Sequence, residues 1–309
     1  MGNFFKRLFA KPDNQRKEIT VPRAALVQAS EASTAPLDEN QIEGLTRAHR
    51  IEPPQLVVGM GRNQGRQRDN NEDALFAHTA TISTSSATLP LGIFIVADGM
   101  GGHENGHIAS DIAVRAMSNY LFKNLHASLF GVHPEPPQES LQEIMRQGVL
   151  RAHEEILRAA PGGGTTLTAA LVLNSQMTVA HVGDSRAYSI FLDGRVQTLT
   201  RDHSIVKRFQ ELGQITAEEA TVHPQKSMLY RALGQGDSLE PDVFTAQLPQ
   251  PGYLLICSDG LWGVMTEDEL FDIVVSAPNP QMACQSLVDA ANDAGGPDNI
   301  TAILVRLVE

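Results

Sequence analysis

Ile93-Phe94-Ile95-Val96-Ala97-Asp98-Gly99-Met100-Gly101-Gly102-His103 is the stretch from which the rest of the chain can be read. Its apolar run predicts a buried strand. The strand ends in a carboxylate followed at once by glycine, where backbone can approach a ligand with no side chain in the way. The same grammar returns downstream. Tyr253-Leu254-Leu255-Ile256-Cys257-Ser258 runs into Asp259-Gly260, and Asp298 stands between Gly295-Gly296-Pro297 and the apolar run Asn299-Ile300-Thr301-Ala302-Ile303-Leu304-Val305. Three carboxylates on the lips of strands suit a hard divalent cation such as Mg²⁺ or Mn²⁺, which prefers oxygen ligands. Asp-Gly is also a common turn dipeptide, so each acid taken alone reads as turn chemistry.

Upstream, residues 55–61 form a strand candidate. They lead into Gly65-Arg66-Gln67-Arg68-Asp69-Asn70-Asn71-Glu72-Asp73, a charged cluster ahead of the apolar residues 74–78. Here a planar guanidinium at Arg68 suits a phosphate while Glu72 and Asp73 face a metal; an exposed hairpin with a salt bridge explains the same residues. Downstream, a helix is predicted from His107 to about Leu125, with Ile108, Ile112, Ala116 and Leu121 on one face. A second follows over residues 138–159. Gly162-Gly163-Gly164-Thr165-Thr166 then opens three strand candidates, residues 167–173, 177–183 and 186–192, which read as an antiparallel meander. Residues 201–236 are a polar insertion with a capping-box start at Thr216-Ala217-Glu218-Glu219 and form a candidate flap. Strands are expected at 242–248, 253–258 and 299–308, and helices at 267–276 and 280–294.

Bulk composition narrows the classes. A chain of 309 residues with 42% hydrophobic content can bury a large core. Its net charge of −12, with no basic stripe, argues against nucleic acid. No apolar run approaches the roughly 18 residues that span a bilayer. Cys257 and Cys284 lack metal-ligand spacing and read as buried thiols of a reducing compartment, hence a cytoplasmic protein. Residues 1–48 differ from the rest. The short basic and apolar start Met1-Gly2-Asn3-Phe4-Phe5-Lys6-Arg7-Leu8-Phe9-Ala10-Lys11 offers at most weak contact with a membrane surface, and the segment reads as a disordered, solvated tail without a secretory leader.

Seven blocks then acquire a common meaning. They are Arg68 with Asn71-Glu72-Asp73, Val96-Ala97-Asp98-Gly99-Met100-Gly101-Gly102-His103, Gly164-Thr165-Thr166, Val182-Gly183-Asp184-Ser185-Arg186, Thr200-Arg201-Asp202-His203-Ser204, Ser258-Asp259-Gly260-Leu261-Trp262, and Asp298-Asn299-Ile300-Thr301. In this order and spacing, from Leu56 to Val308, the chain resembles the metal-dependent serine/threonine protein phosphatases of the PP2C (PPM) family, in their bacterial form.

The resemblance implies an α+β fold, a four-layer α-β-β-α sandwich of two antiparallel sheets flanked by helix pairs, with the metal site at one end. Residues 49–309 would form this phosphatase domain, the flap insertion lying at about 201–236. It also implies that Asp98 bridges two Mn²⁺ or Mg²⁺ ions, the Gly99 carbonyl binding one and Asp259 and Asp298 the other. Glu72 and Asp73 would act through waters or from behind the ligands, and Arg68 would hold the substrate phosphate. Arg68, Asp98 and Asp259 would then be the catalytic set. The implied reaction is hydrolysis of phosphoserine and phosphothreonine in proteins by a metal-activated water. The implied partners are phosphoproteins and the Ser/Thr kinase whose work is reversed, for a chain acting as a monomer.

Departures from the family pattern set a second reading beside the first. Gly263 stands where some relatives carry an acid, and no acid immediately precedes Gly164, which puts a third metal in doubt unless Asp202 contributes an oxygen. Asp184 and Arg186 read as residues fixing a turn, and His103 as a plain loop histidine, with water protonating the leaving group, or alternatively as the acid for that step. The alternative is a catalytically weak relative serving as a regulatory or binding module.

Overall fold

The computed structural model describes residues 52–100 and 105–309; the tail over residues 1–48 and His103 lie outside them. Eleven strands occur among the described residues: β1 (Gln55–Asn63), β2 (Asp73–Ser83), β3 (Thr88–Met100), β4 (Gly164–Thr165), β5 (Leu167–Leu173), β6 (Gln176–Val182), β7 (Arg186–Phe191), β8 (Val196–Thr198), β9 (Asp242–Gln247), β10 (Gly252–Cys257) and β11 (Ile300–Val308). The helices are α1 (Gly106–Phe130), α2 (Leu141–Ala159), α3 (Ile205–Glu211), α4 (Ala217–Thr221), α5 (Asp259–Trp262), α6 (Glu267–Ser276) and α7 (Pro280–Asp293).

One sheet runs β1-β11-β10-β7-β8 and the other β2-β3-β5-β6-β9, with β4 paired to the end of β3; every pairing is antiparallel. The central strands are buried on both faces, which is why β3 reads as a continuous apolar run rather than an alternating one. Its side chains still divide by the period of two. Phe94 and Val96 pack between the sheets, while Ile93, Ile95 and Ala97 pack beneath α1 and α2. On the opposite side, Leu255 and Leu304 face α6 and α7 through Leu270, Leu287 and Val288. Three apolar layers therefore hold four layers of structure together, as the resemblance implies.

Helix ends follow local rules. Ser140 accepts from the Glu143 N–H at the start of α2, and Thr216 and Thr266 close reciprocal capping boxes with Glu219 and Glu269 at the starts of α4 and α6.

The predicted meander is corrected at its third strand. β5 and β6 pair as expected, but β7 leaves for the other sheet and pairs with β10 and β8. The chain crosses at Gly183, whose φ of +106° is open to glycine; a Cβ there would also stand 2.6 Å from the Thr166 side chain. This crossing leaves Asp184 at the lip between the two sheets, not in a hairpin within one of them.

Candidate active site

The acids meet at one end of the sandwich. Asp73 opens β2 and Asp98 nearly closes β3, and the antiparallel register sets them directly opposite one another. Asp259 begins α5 immediately after β10, and Asp298 precedes β11. Together with Arg68, Glu72, Gly99 and Asp184, the residues Asp98, Asp259 and Asp298 line a cavity of about 510 Å³; Ser227 and Leu229 of the 201–236 insertion form part of its wall.

Asp98 is held by backbone and hydroxyl contacts, and its carboxylate meets that of Asp259. Its N–H donates to Thr166 Oγ1 at 2.9 Å, and its carbonyl accepts from Thr165 Oγ1 at 2.8 Å and the Thr166 N–H at 2.9 Å. The Gly-Thr-Thr turn is thus a clamp on the end of β3. Gly99 must be glycine, since a Cβ would lie 2.4 Å from the Gly106 carbonyl oxygen and 2.6 Å from that of Glu72. Asp73 is buried and accepts from Ser258 Oγ at 2.8 Å through one oxygen; the other has no partner. Asp259 Oδ1 is likewise enclosed and unpartnered.

Unpartnered carboxylate oxygens in a shared enclosure raise each other's proton affinity. Loss of hydration lifts the Asp73 carboxyl to about 6, with the charge of Asp298 adding to it. The same cause, followed by the charges of Asp298 and Asp73, lifts Asp259 to about 7. Asp98 is pushed well up by desolvation first and then by Asp73, Asp259, Asp184 and Asp298. Such a cluster is a poor neutral-pH resting place for anions and a good one for cations, which replace the missing hydration.

Arg68 supplies the facing positive charge. Its Nη2 lies 2.5 Å from Asp298 Oδ2, with the Arg68 side chain 54% exposed. This replaces the hairpin salt bridge that the cluster at residues 65–73 also allowed: the partner is 230 residues away, not Glu72 or Asp73. Glu72 is held by its backbone, its N–H donating to Asn299 Oδ1 at 2.7 Å and its carbonyl accepting from Ser110 Oγ at 2.5 Å.

Among the described residues, no three acid, histidine or cysteine side chains close tightly enough to cage an ion as they stand. Both Asp298 oxygens are already engaged, one by Arg68 and the other by the Asn299 N–H at 2.8 Å. The donor set nonetheless fits a divalent cation, because every contributor is an oxygen and two of those oxygens lack any other partner.

Two residues were assigned differently by sequence. Asp184, expected to fix a turn, faces the cavity, where desolvation and then the charge of Asp259 push its carboxyl well up. Its signal was an acid beside a glycine just past an apolar strand, as at Asp98 and Asp259 though in the reverse order, masked by the meander reading. Asp202, considered as an oxygen donor, is instead engaged by both arms of Arg186, at 2.9 and 2.7 Å. That guanidinium stacks 3.5 Å from the Trp262 ring, whose Nε1–H donates to the Asp184 carbonyl.

Comparison with known proteins agrees with this geometry. Residues 56–300 match the model of the protein phosphatase 2C family. The serine/threonine phosphatase stp of Listeria welshimeri is 38% identical over 245 residues, covering 79% of this chain and 93% of that one. Protein phosphatase PhpP of Streptococcus pneumoniae is 34% identical over 260 residues, 82% of this chain and 98% of that one. Among solved structures, the catalytic domain of the serine/threonine protein phosphatase PstP in complex with two manganese ions superposes with a TM-score of 0.66 at 27% identity, covering 82% of this chain and 99% of that one.

Proposed function

The chain belongs to the protein phosphatase 2C family, and from that premise we propose that it hydrolyses phosphoserine and phosphothreonine in proteins with divalent cations held by Asp98, Asp259, Asp298 and the Gly99 carbonyl. The observation that carries the reading is the meeting of Asp98, Asp259 and Asp298 with Arg68 in one cavity. Two cations, Mn²⁺ or Mg²⁺, fit the number of acids, and Asp184 adds a further oxygen beside Asp259. Asp73 and Glu72 act from behind, or through water.

A divalent cation held there would lower the pKa of water enough to make hydroxide available to attack phosphorus near neutral pH, and would offset the charge of the phosphate. The protein's own groups do the rest. Arg68 turns from Asp298 to the phosphate oxygens. The ion pair it leaves is partly exposed and worth about 0–1 kcal/mol, whereas a dianion offers it a bidentate partner. Thr165 and Thr166 keep Asp98 from rotating with β3, and Ser258 keeps Asp73 directed at the cluster. Ser227 and Leu229 of the 201–236 insertion line the cavity that a phosphorylated side chain would enter.

Phosphoproteins are the substrates of such an enzyme. We further propose that it acts as a monomer opposing a Ser/Thr kinase in the cytoplasm; the two free buried cysteines support a reducing compartment, and among the described residues no helix is long and apolar enough to cross a membrane. The binding-module reading loses its motive, because Asp184 adds an acid to a cavity that appeared short of one. Hydrolysis of a phosphothreonine peptide, with and without Mn²⁺ and for Asp98→Ala and Asp259→Asn, tests the proposal. Activity confined to the Mn²⁺-supplied wild type is expected; equal rates in all samples would overturn it.

A further inference from the structure

We infer that Asn299 is a positioning residue for the phosphate site, setting where Arg68 stands relative to Asp298; this rests on the reading of Arg68 as the phosphate ligand. Arg68 is carried by residues 64–72, which lie between β1 and β2 and belong to neither sheet. A long, half-exposed side chain on an unladdered loop has no ladder to place it. Asn299 supplies the missing constraint. It is 5% exposed, and its amide bonds to both ends of the loop: Nδ2 donates to the Gln64 carbonyl at 2.8 Å and the Asn70 carbonyl at 2.9 Å, while Oδ1 accepts from the Glu72 N–H at 2.7 Å.

No other side chain of similar size does this. Both amide hydrogens and the carbonyl oxygen are used, so aspartate would turn two attractions into repulsions and alanine would leave three backbone groups without partners. The neighbouring contacts run in the same direction. The Arg66 and Gln67 N–H groups donate to the Gly296 carbonyl at 2.8 and 3.1 Å, and Gln64 Nε2 braces the Arg68 carbonyl at 2.6 Å. Gly65 has φ +80°, and a Cβ on it would stand 2.2 Å from the Asp298 carbonyl oxygen. The loop is therefore seated on the segment that presents Asp298, with Asn299 as its central fastening. The Asn299 side chain fastens the loop of the phosphate ligand, while Asp298 is held by the Asn299 backbone N–H, which alanine would keep.

The test is a double-mutant cycle on para-nitrophenyl phosphate hydrolysis with saturating Mn²⁺, using Asn299→Ala, Arg68→Ala and the pair, with Mn²⁺ affinity and Tm measured alongside. Asn299→Ala is expected to raise KM about tenfold while kcat and the Mn²⁺ dissociation constant change less than about threefold. In the Arg68→Ala background it should raise KM no further, because its effect passes through Arg68. An equal rise in both backgrounds, or no rise in KM, overturns the inference. If Arg68→Ala alone leaves KM unchanged, the phosphate reading of Arg68 has failed instead. Should Asn299→Ala not fold, Gly65→Ala in the same cycle displaces the loop from the other side, and the same outcomes decide.

Discussion

Asp73 and Asp98 are register partners in the β2–β3 ladder, two acids set face to face where a sheet ordinarily avoids like charges. Around them stand Asp259, Asp298 and Asp184, and desolvation holds the Asp73, Asp98, Asp184 and Asp259 carboxyls above their ordinary range. The fold spends stability to assemble this cluster, which makes physical sense only if cations repay it.

That cost predicts a trade between stability and activity. Asp259→Asn should raise the Tm of the metal-free protein at pH 8 by several degrees, corresponding to roughly 1–2 kcal/mol because the group keeps a face to the cavity. Phosphatase activity should fall by at least about 10²-fold. Calorimetry in chelator and a parallel assay with Mn²⁺ measure both; a lowered Tm would mean that the acids do not repel in the native state.

Arg68 should separate binding from metal loading. Arg68→Ala is expected to raise KM for a phosphomonoester by about 10–100-fold with Mn²⁺ affinity nearly unchanged, and Arg68→Lys should recover only part, since an ammonium lacks the planar fork. Steady-state kinetics beside metal titration check this, and unchanged kinetics would remove Arg68 from the phosphate site.

Thr166 should matter through its hydroxyl alone. That oxygen accepts the Asp98 N–H at 2.9 Å and lies 2.7 Å from Ser185 Oγ. Thr166→Val keeps the shape and should cost about 1–3 kcal/mol in urea unfolding, with lowered activity, while Thr166→Ser should retain both. Equal stability of the valine and serine variants would contradict the clamp.

Acid sensitivity should be traceable in part to His181. It joins Thr168 Oγ1 at 2.9 Å to the Arg201 carbonyl at 3.0 Å, and burial, followed by the charge of His203, depresses it from 6.5 to about 4. The unfolded chain therefore takes up a proton at higher pH than the folded one, and stability falls as pH drops through that window, by about 2.5 kcal/mol at pH 4.5. His181→Gln, less stable than wild type by about 2 kcal/mol at pH 7 for its lost hydrogen bonds, should approach or overtake it at pH 4.5. Urea midpoints at the two pH values measure the gap; a constant gap would show that His181 takes up its proton at the same pH in the folded and unfolded chains.

Much of this was legible in the chain because local signals and tertiary demands agree. Leu167–Leu173 is bounded by turn residues on both sides, and the capping boxes at Thr216 and Thr266 mark helix starts without reference to packing. Asp98, Asp259 and Asp298 were readable because each ends or begins a strand that must be buried. What escaped depends on partners remote in sequence. β7 looks like the third strand of a meander, and only its pairing with β10 sends it to the other sheet, carrying Asp184 to the cavity. Arg68 has acids four and five residues away yet pairs with Asp298, because the loop it rides is seated on residues 296–299. Asn299 was visible as a neighbour of an acid, but its three bonds to residues 64–72 exist only in the folded chain.

The central claim is that acids from distant strands form a seat for divalent cations. Anomalous diffraction from crystals soaked in Mn²⁺, recorded at the manganese edge, tests it most directly. Two peaks are predicted in the cavity, each about 2.0–2.4 Å from carboxylate or carbonyl oxygens, with Asp98 shared between them and Asp259 and Asp298 on one. Peaks elsewhere, or none within reach of Asp98 and Asp259 in crystals whose protein hydrolyses phosphothreonine in solution, would contradict it.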